Sequence, residues 1–241
     1  MPLQGIIVPL GKEAILARHS VRQYIDKPIE AEKIAQLQAL IHKSNQEAGL
    51  NMQLVVNEPK AFAGGLAKYG KFSGVSNYIA MIAPKDKDVE LGYYGEQVVL
   101  FAQTLGLNTC WVGLTFRKQP DQYEIREGEV LNSVIALGYG ATQGVQHPQK
   151  KTIADVAEVK DEKGKVKGES NFPDWFVRGV EAALLAPTAV NQQKFLFILH
   201  PDNRVEAKAR FALSSYLQTD LGIAKYHFEI GAGKENFNWV V

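Results

Sequence analysis

The stretch from Leu91 to about Leu105 constrains the fold most, because Val98, Val99, Phe101 and Ala102 make it too apolar for a helix with one wet face. It is expected to be a largely buried helix. A partial copy lies further along: Leu91-Gly92-Tyr93-Tyr94-Gly95-Glu96-Gln97-Val98 sits against Leu221-Gly222-Ile223-Ala224-Lys225-Tyr226-His227-Phe228, and the match runs on to Ala102 and Ala232. Both segments follow an acidic residue and both enter a helix. The identities are few, but the match falls at the corresponding place in each helix, strand, helix series, which implies an internal repeat. Two halves in one chain can bury their repeat faces against each other as symmetric subunits do.

The remaining periodicities fit around this pair. Ile34, Leu37, Leu40 and Ile41 follow Glu30 and Glu32 at helical spacing, with the acids at the positive end of the helix dipole, and predict a core-facing helix from Glu30 to Ile41. Met52 to Val56, Asn77 to Ala83, Thr109 to Leu114 and Leu131 to Leu137 read as strands, with a Gly/Lys-rich loop through Gly64, Gly65, Lys68, Gly70 and Lys71 between the first two. The charged, glycine-punctuated run from Lys160 to Gly168 marks an exposed hairpin or linker. The pattern then restarts. Pro173 suits a first helical turn, Phe176, Val180, Ala183 and Leu184 form an apolar stripe, Pro187 ends the helix, and Lys194 to Leu199 supplies a strand. The expected division is a first repeat over 1–159, an exposed linker over 160–170 and a truncated second repeat over 171–241, packed on the first.

Composition narrows the function. With 27 basic against 26 acidic side chains there is no general field for nucleic acid or an anionic membrane, so any anion site must be local. No apolar run is long enough to span a bilayer, and Met1-Pro2-Leu3-Gln4-Gly5 lacks the basic start and apolar core of a signal peptide, so a cytoplasmic protein is expected. The lone Cys110 cannot form an intramolecular disulfide and reads as a buried strand residue, and no Cys/His cluster has metal-ligand spacing. The five histidines are scattered without a serine or cysteine relay partner, and His227 is taken as a core or interface residue. Trp111, Trp175 and Trp239 are read as packing residues.

One local anion site does stand out. In an extended Arg18-His19-Ser20-Val21-Arg22-Gln23-Tyr24, alternation projects Arg18, Ser20 and Arg22 from one side. Two guanidinium forks flanking a hydroxyl suit a phosphate monoester. Val21, Tyr24 and Ile25 favour extended backbone, and Pro28 keeps a helix from running through Asp26-Lys27. On spacing alone a phosphate grip and a solvated basic turn both remain open.

The wider pattern resembles the FMN-dependent nitroreductase family. The resemblance is carried by Arg18 to Tyr24, the acidic-start helix from Glu30, Cys110-Trp111-Val112-Gly113, and Ala136-Leu137-Gly138-Tyr139-Gly140, in order and spacing over most of the chain. It implies an α+β, three-layer α/β/α fold and one FMN at the junction of two subunits or halves. One half grips the phosphate with an Arg-x-Ser-x-Arg/Lys segment, and the other lays a Pro-Ser-x-x-Asn-x-Gln loop over the flavin. Here that loop is Pro187-Thr188-Ala189-Val190-Asn191-Gln192-Gln193 in the same chain, so the protein resembles a fused pseudo-dimer, expected to be monomeric.

By resemblance, Arg18, His19, Ser20 and Arg22 serve the phosphate, ribityl chain and pyrimidine edge. Lys150 and Lys151 resemble a late basic pair reaching the phosphate, a solvated loop charge being the alternative. Lys71, assisted by Lys68, resembles the lysine near flavin N1 and O2, where a cation stabilises the reduced ring. Backbone amides of Val112, Gly113 and Leu114 resemble donors to N5 and O4, and Pro187, Thr188, Ala189 and Asn191 form the covering loop. No catalytic side chain is required, since the flavin itself transfers hydride.

The opposite pocket would need a grip at Gly168 to Phe172 and a loop at Ser44 to Gly49, and neither segment matches. Thr188 replaces the family's serine, and Lys194-Phe195 stands where Pro-Trp is common. The implied activity is NAD(P)H-dependent reduction of a small flat acceptor, a nitroaromatic or quinone. The alternatives are a flavin-storing or flavin-sensing module and a flavin-consuming enzyme.

Overall fold

A computed structural model describes residues 11–148, 150–164, 166–167 and 172–240. The Met1 to Gly5 segment and most of the Gly168 to Phe172 segment lie outside the described residues.

The first sheet has the order β1(Gln53–Val55), β2(Asn77–Pro84), β4(Glu129–Gly138), β3(Asn108–Val112), and all its pairings are antiparallel. Along β2 the side chains alternate between two cores, as a strand covered on both faces must. Ile79, Met81 and Ala83 pack toward α2(Ala31–Ala48) and α4(Asp88–Thr104), together with Leu37, Ile41, Val98 and Ala102. Tyr78, Ala80 and Ile82 face the segment carrying α3(Gly65–Tyr69), with Phe62, Ala67 and Phe72. Helical segments on both faces give this half the expected three-layer α+β arrangement.

The second sheet has the order β6(Val166–Lys167), β5(Ala157–Lys160), β7(Phe195–His200), β8(Arg204–Ala209), β9(Asn238–Trp239), with β5 parallel to β7. Its core is strongly aromatic. Phe228 of α7(Leu217–Ala232) stacks on Phe197 with ring centroids 4.6 Å apart, and Phe176 of α6(Asp174–Ala183) meets Phe228 edge-on. The charged run from Lys160 is a hairpin, since β5 and β6 pair antiparallel across it.

Helices α4 and α7 lie between the sheets and press on each other at paired glycines. A Cβ on Gly92 would collide with the Thr219 carbonyl oxygen, and one on Gly222 with that of Val89. Val89 and Thr219 hold the same position ahead of their Leu-Gly dipeptides, so the two contacts are reciprocal.

Several boundaries depart from expectation. Helix α2 runs on through Ser44 and Asn45 to Ala48 and closes on Gly49 at φ 66°, because Ser44 and Ala48 are buried and extend its inner face. The Gly/Lys-rich loop holds the short helix α3, anchored by fully buried Ala67. Strand β3 stops at Val112, which leaves Gly113 and Leu114 in the following turn.

Candidate functional site

The grip segment leaves α1(Lys12–Ala17) in extended conformation, Arg18 having φ −74° and ψ 122°. It runs beside β3 through a parallel bridge between Ser20 and Thr109, with Val21 N donating to Thr109 O at 3.0 Å. Val21 and Tyr24 are thereby buried in the core, and Arg18, Ser20 and Arg22 line a cavity of about 890 Å³. His19 lines it too, its Nδ1 3.2 Å from Gln143 O.

The Lys71 turn is tied to the grip. Gln23 Nε2 donates to Lys71 O at 2.6 Å, Ser73 N donates to Arg22 O at 3.0 Å, and Lys71 takes φ 60°. Lys71, Val112, Gly113, Leu114 and Lys150 all line the cavity. Lys68, exposed on α3, and Lys151 are not among its lining residues. Gly113 has a protein reason to be glycine, since a Cβ there would meet the Tyr216 ring.

The opposite wall comes from the chain after α6. Pro187, Thr188, Ala189 and Asn191 line the same cavity as Arg18, although they lie far away in sequence. Val190, Asn191 and Gln193 take φ of 48°, 52° and 48°, values that non-glycine residues rarely adopt and a β-branched valine almost never does. Asp220 of α7 clamps this loop. Its carboxylate accepts from Ala189 N at 2.9 Å and from Gln192 Nε2 at 3.0 Å, and burial pushes the carboxyl up to about 6 despite those bonds. Gln193 finishes the loop, its N donating to Thr188 Oγ1 at 3.0 Å and its Nε2 to Leu184 O at 2.7 Å. The Asn191 side chain has no hydrogen-bond partner among the described residues.

Arg18 has protein partners that sequence reading did not foresee. Its Nη2 donates to Leu185 O at 3.4 Å, and its Nε stands 3.8 Å from Glu96 Oε1, a carboxylate with no exposed surface. Glu96 also accepts from Trp111 Nε1 at 2.8 Å and meets His227 Nε2 at 2.9 Å. Burial lowers the Arg18 guanidinium from its usual range, opposed by Glu96 and Cys110. Cys110 is buried and its thiol is pushed up by desolvation.

Two further features define what the cavity can take. Arg18 Nε, Ser133 Oγ and Gln193 Oε1 are buried without hydrogen-bond partners, and all three residues line it, so its wall offers polar atoms to a ligand. Its mouth is apolar. Tyr69, Leu114, Val145, Val190 and Leu213 line it while each is at least 76% exposed. Among the described residues no cluster has the makings of a metal site, and no helix is long and apolar enough to cross a membrane.

Asp220, Ser133, Tyr216 and Leu213 were not anticipated. For Asp220 a signal existed, the acidic residue that precedes both Leu-Gly segments.

The architecture and this cavity define an α+β protein of nitroreductase type. The family described as "Putative TM nitroreductase" matches residues 11–232, and the chain belongs to it. Among solved structures, a "putative nitroreductase" from Thermotoga maritima is similar at TM-score 0.62 and 22% identity, over 93% of this chain and 84% of that one. An FMN-dependent nitroreductase from Clostridium difficile is 18% identical over 66% of this chain and 99% of that one, at TM-score 0.45. No curated protein matches the chain.

Proposed function

We propose that the protein is an FMN-dependent oxidoreductase that takes electrons from NADH or NADPH and reduces a flat acceptor such as a nitroaromatic or quinone. The observation that carries this is convergence: the Arg18-Ser20-Arg22 grip and the Pro187 to Asn191 loop share one cavity from opposite ends of the chain. FMN would supply the hydride chemistry. Arg18, Ser20 and Arg22 would hold its phosphate end, with Lys150 within the same wall. Lys71 would sit at the pyrimidine edge, and the Val112 to Leu114 backbone would offer amide donors. The loop through Asn191 would cover the ring and exclude water, and the apolar mouth would shape the place where a flat acceptor stacks. The unpartnered polar atoms of Arg18, Ser133 and Gln193 are what a polar cofactor would complete.

The reading includes one FMN per chain and a monomer built as a pseudo-dimer. Support comes from the reciprocal contacts of Gly92 with Thr219 and Gly222 with Val89, the pattern of a two-fold interface. It comes also from the last turns of α2, where Ser44 to Ala48 are helix and a second covering loop would be needed.

The test is to purify the protein, quantify flavin released by denaturation against protein concentration, and follow oxidised-flavin absorbance anaerobically on adding NADH or NADPH. One equivalent of FMN that bleaches is expected. Two equivalents would overturn the pseudo-dimer. Bound FMN that neither nucleotide bleaches would favour a storage or sensing module, and loss of the flavin itself a flavin-consuming enzyme.

A further inference from the structure

The buried pair Glu96 and His227 has a proton count fixed by its neighbours. His227 Nδ1 lies 3.0 Å from Ala182 O and Nε2 lies 2.9 Å from Glu96 Oε1, and neither residue has exposed surface. Both partners are acceptors, so the two contacts need two protons between them. An imidazolium with a carboxylate and a neutral ring with a carboxylic acid both meet that count. In either arrangement the pair is neutral, and the positive charge of Arg18 beside it is not cancelled.

The surroundings make this a device rather than a packing accident. Glu96 lies within ion-pair distance of the Arg18 guanidinium, yet at 3.8 Å it makes no hydrogen bond to Nε. Nη2 goes to Leu185 O, while Nη1 has no protein partner among the described residues. The reciprocal position across α4 and α7 differs. There Tyr226 and Gln97 stand where Glu96 and His227 stand in the Leu-Gly segments. A pair of ionisable residues stands at one end of the helix crossing and a tyrosine with a glutamine at the other. The ionisable pair lies beside the only arginine pair that lines the cavity among the described residues.

We propose that Glu96 and His227 tune the phosphate grip: the proton that His227 shares with Glu96 keeps that carboxylate from neutralising Arg18. The inference rests on the flavin reading above. Failure of that reading would show first, as wild-type protein that does not prefer FMN to riboflavin.

The experiment is titration of FMN and riboflavin into flavin-stripped protein for wild type, His227→Gln, and the double variant Glu96→Gln/His227→Gln, with thermal melting of each. With His227→Gln, Glu96 is left to pair with Arg18, and the FMN-to-riboflavin affinity ratio should fall about tenfold while riboflavin affinity stays within about twofold, the scale of one charge-assisted bond. The double variant removes the carboxylate as well and should recover most of the ratio. An unchanged ratio in His227→Gln, or a double variant that falls as far as the single, would overturn the proposal. If either variant fails to fold, 15N-histidine spectra of wild type decide. Both ring nitrogens of His227 should sit in proton-bearing hydrogen bonds, and a ring with a bare nitrogen facing an ionised Glu96 would overturn it.

Discussion

Helices α2 and α6 end in opposite ways, and the contrast locates the site. Helix α2 runs for 18 residues and closes without strain. Gly49 takes the left-handed turn, and the Asn45 side chain exchanges two 2.9 Å hydrogen bonds with the Met52 backbone. Helix α6 runs for 10 residues and then gives way to a loop in which valine, asparagine and glutamine take left-handed backbone. The residues that follow α6 line the cavity instead. Left-handed backbone without glycine costs of the order of 1 to 3 kcal/mol and persists only when the surroundings over-determine it. Here Asp220, Thr188 and Gln193 do so. The strained end is the one that faces the arginine grip.

The largest effect that would break this comparison is at the grip. Arg18→Ala should weaken FMN by up to about two decades, roughly 3 kcal/mol, since a charge-assisted bond to a phosphate is lost. Riboflavin, which has no phosphate, should be affected far less. Titration of both ligands decides, and equal loss for the two would move Arg18 off the phosphate and leave it as a partner of Glu96 and Leu185.

A smaller effect is expected at the clamp. In the folded protein the Asp220 carboxyl is raised from 3.8 to about 6. A raised carboxyl contributes stability that is complete below its unfolded value and lost as pH rises through the folded one. Between pH 4 and pH 7 wild type should therefore lose on the order of 2 kcal/mol relative to Asp220→Asn. Thermal melts of both proteins across that range would show the gap changing with pH. Parallel curves would mean that Asp220 is not buried at the loop as described, and the strained end would need another support.

What the sequence made legible follows from how local each signal is. The grip is one contiguous segment whose alternation can be read directly, and Val21, which that alternation sets opposite Arg18, Ser20 and Arg22, is buried. The apolar density of Val98 to Ala102 likewise declared a buried helix. Helix α3 was hidden because three glycines surround a segment whose anchoring residue, Ala67, is recognised only by what it packs on. The continuation of α2 was hidden because Ser44 and Asn45 look like loop residues until their burial is known. Lys68 and Lys151 share the charge of Lys71 and Lys150, but residue type cannot say which lysine the short helix or the turn aims at the cavity. The Glu96 and His227 pair was invisible for a different reason. Its members stand on separate helices, and only the packing of α4 on α7 brings them together.

The comparison of the two helix ends sharpens to a pair of opposite substitutions at left-handed positions. Gly49→Ala forces a Cβ into the relaxed turn at φ 66° and should destabilise the protein by about 1 kcal/mol without touching flavin affinity. Val190→Gly releases a β-branched residue from φ 48° and should gain about 1 kcal/mol, the relief of strain exceeding the entropy lost on ordering a glycine. Val190 is 89% exposed, so little packing is sacrificed by the change. Its cost should appear instead in the ligand, because a looser loop must be ordered when FMN binds, which weakens affinity while raising the melting temperature of the ligand-free protein. Denaturant melts and FMN titrations on both variants check each half. If Val190→Gly destabilises the ligand-free protein as Gly49→Ala does, the loop after α6 is not strained, and the contrast between the two ends loses its physical basis.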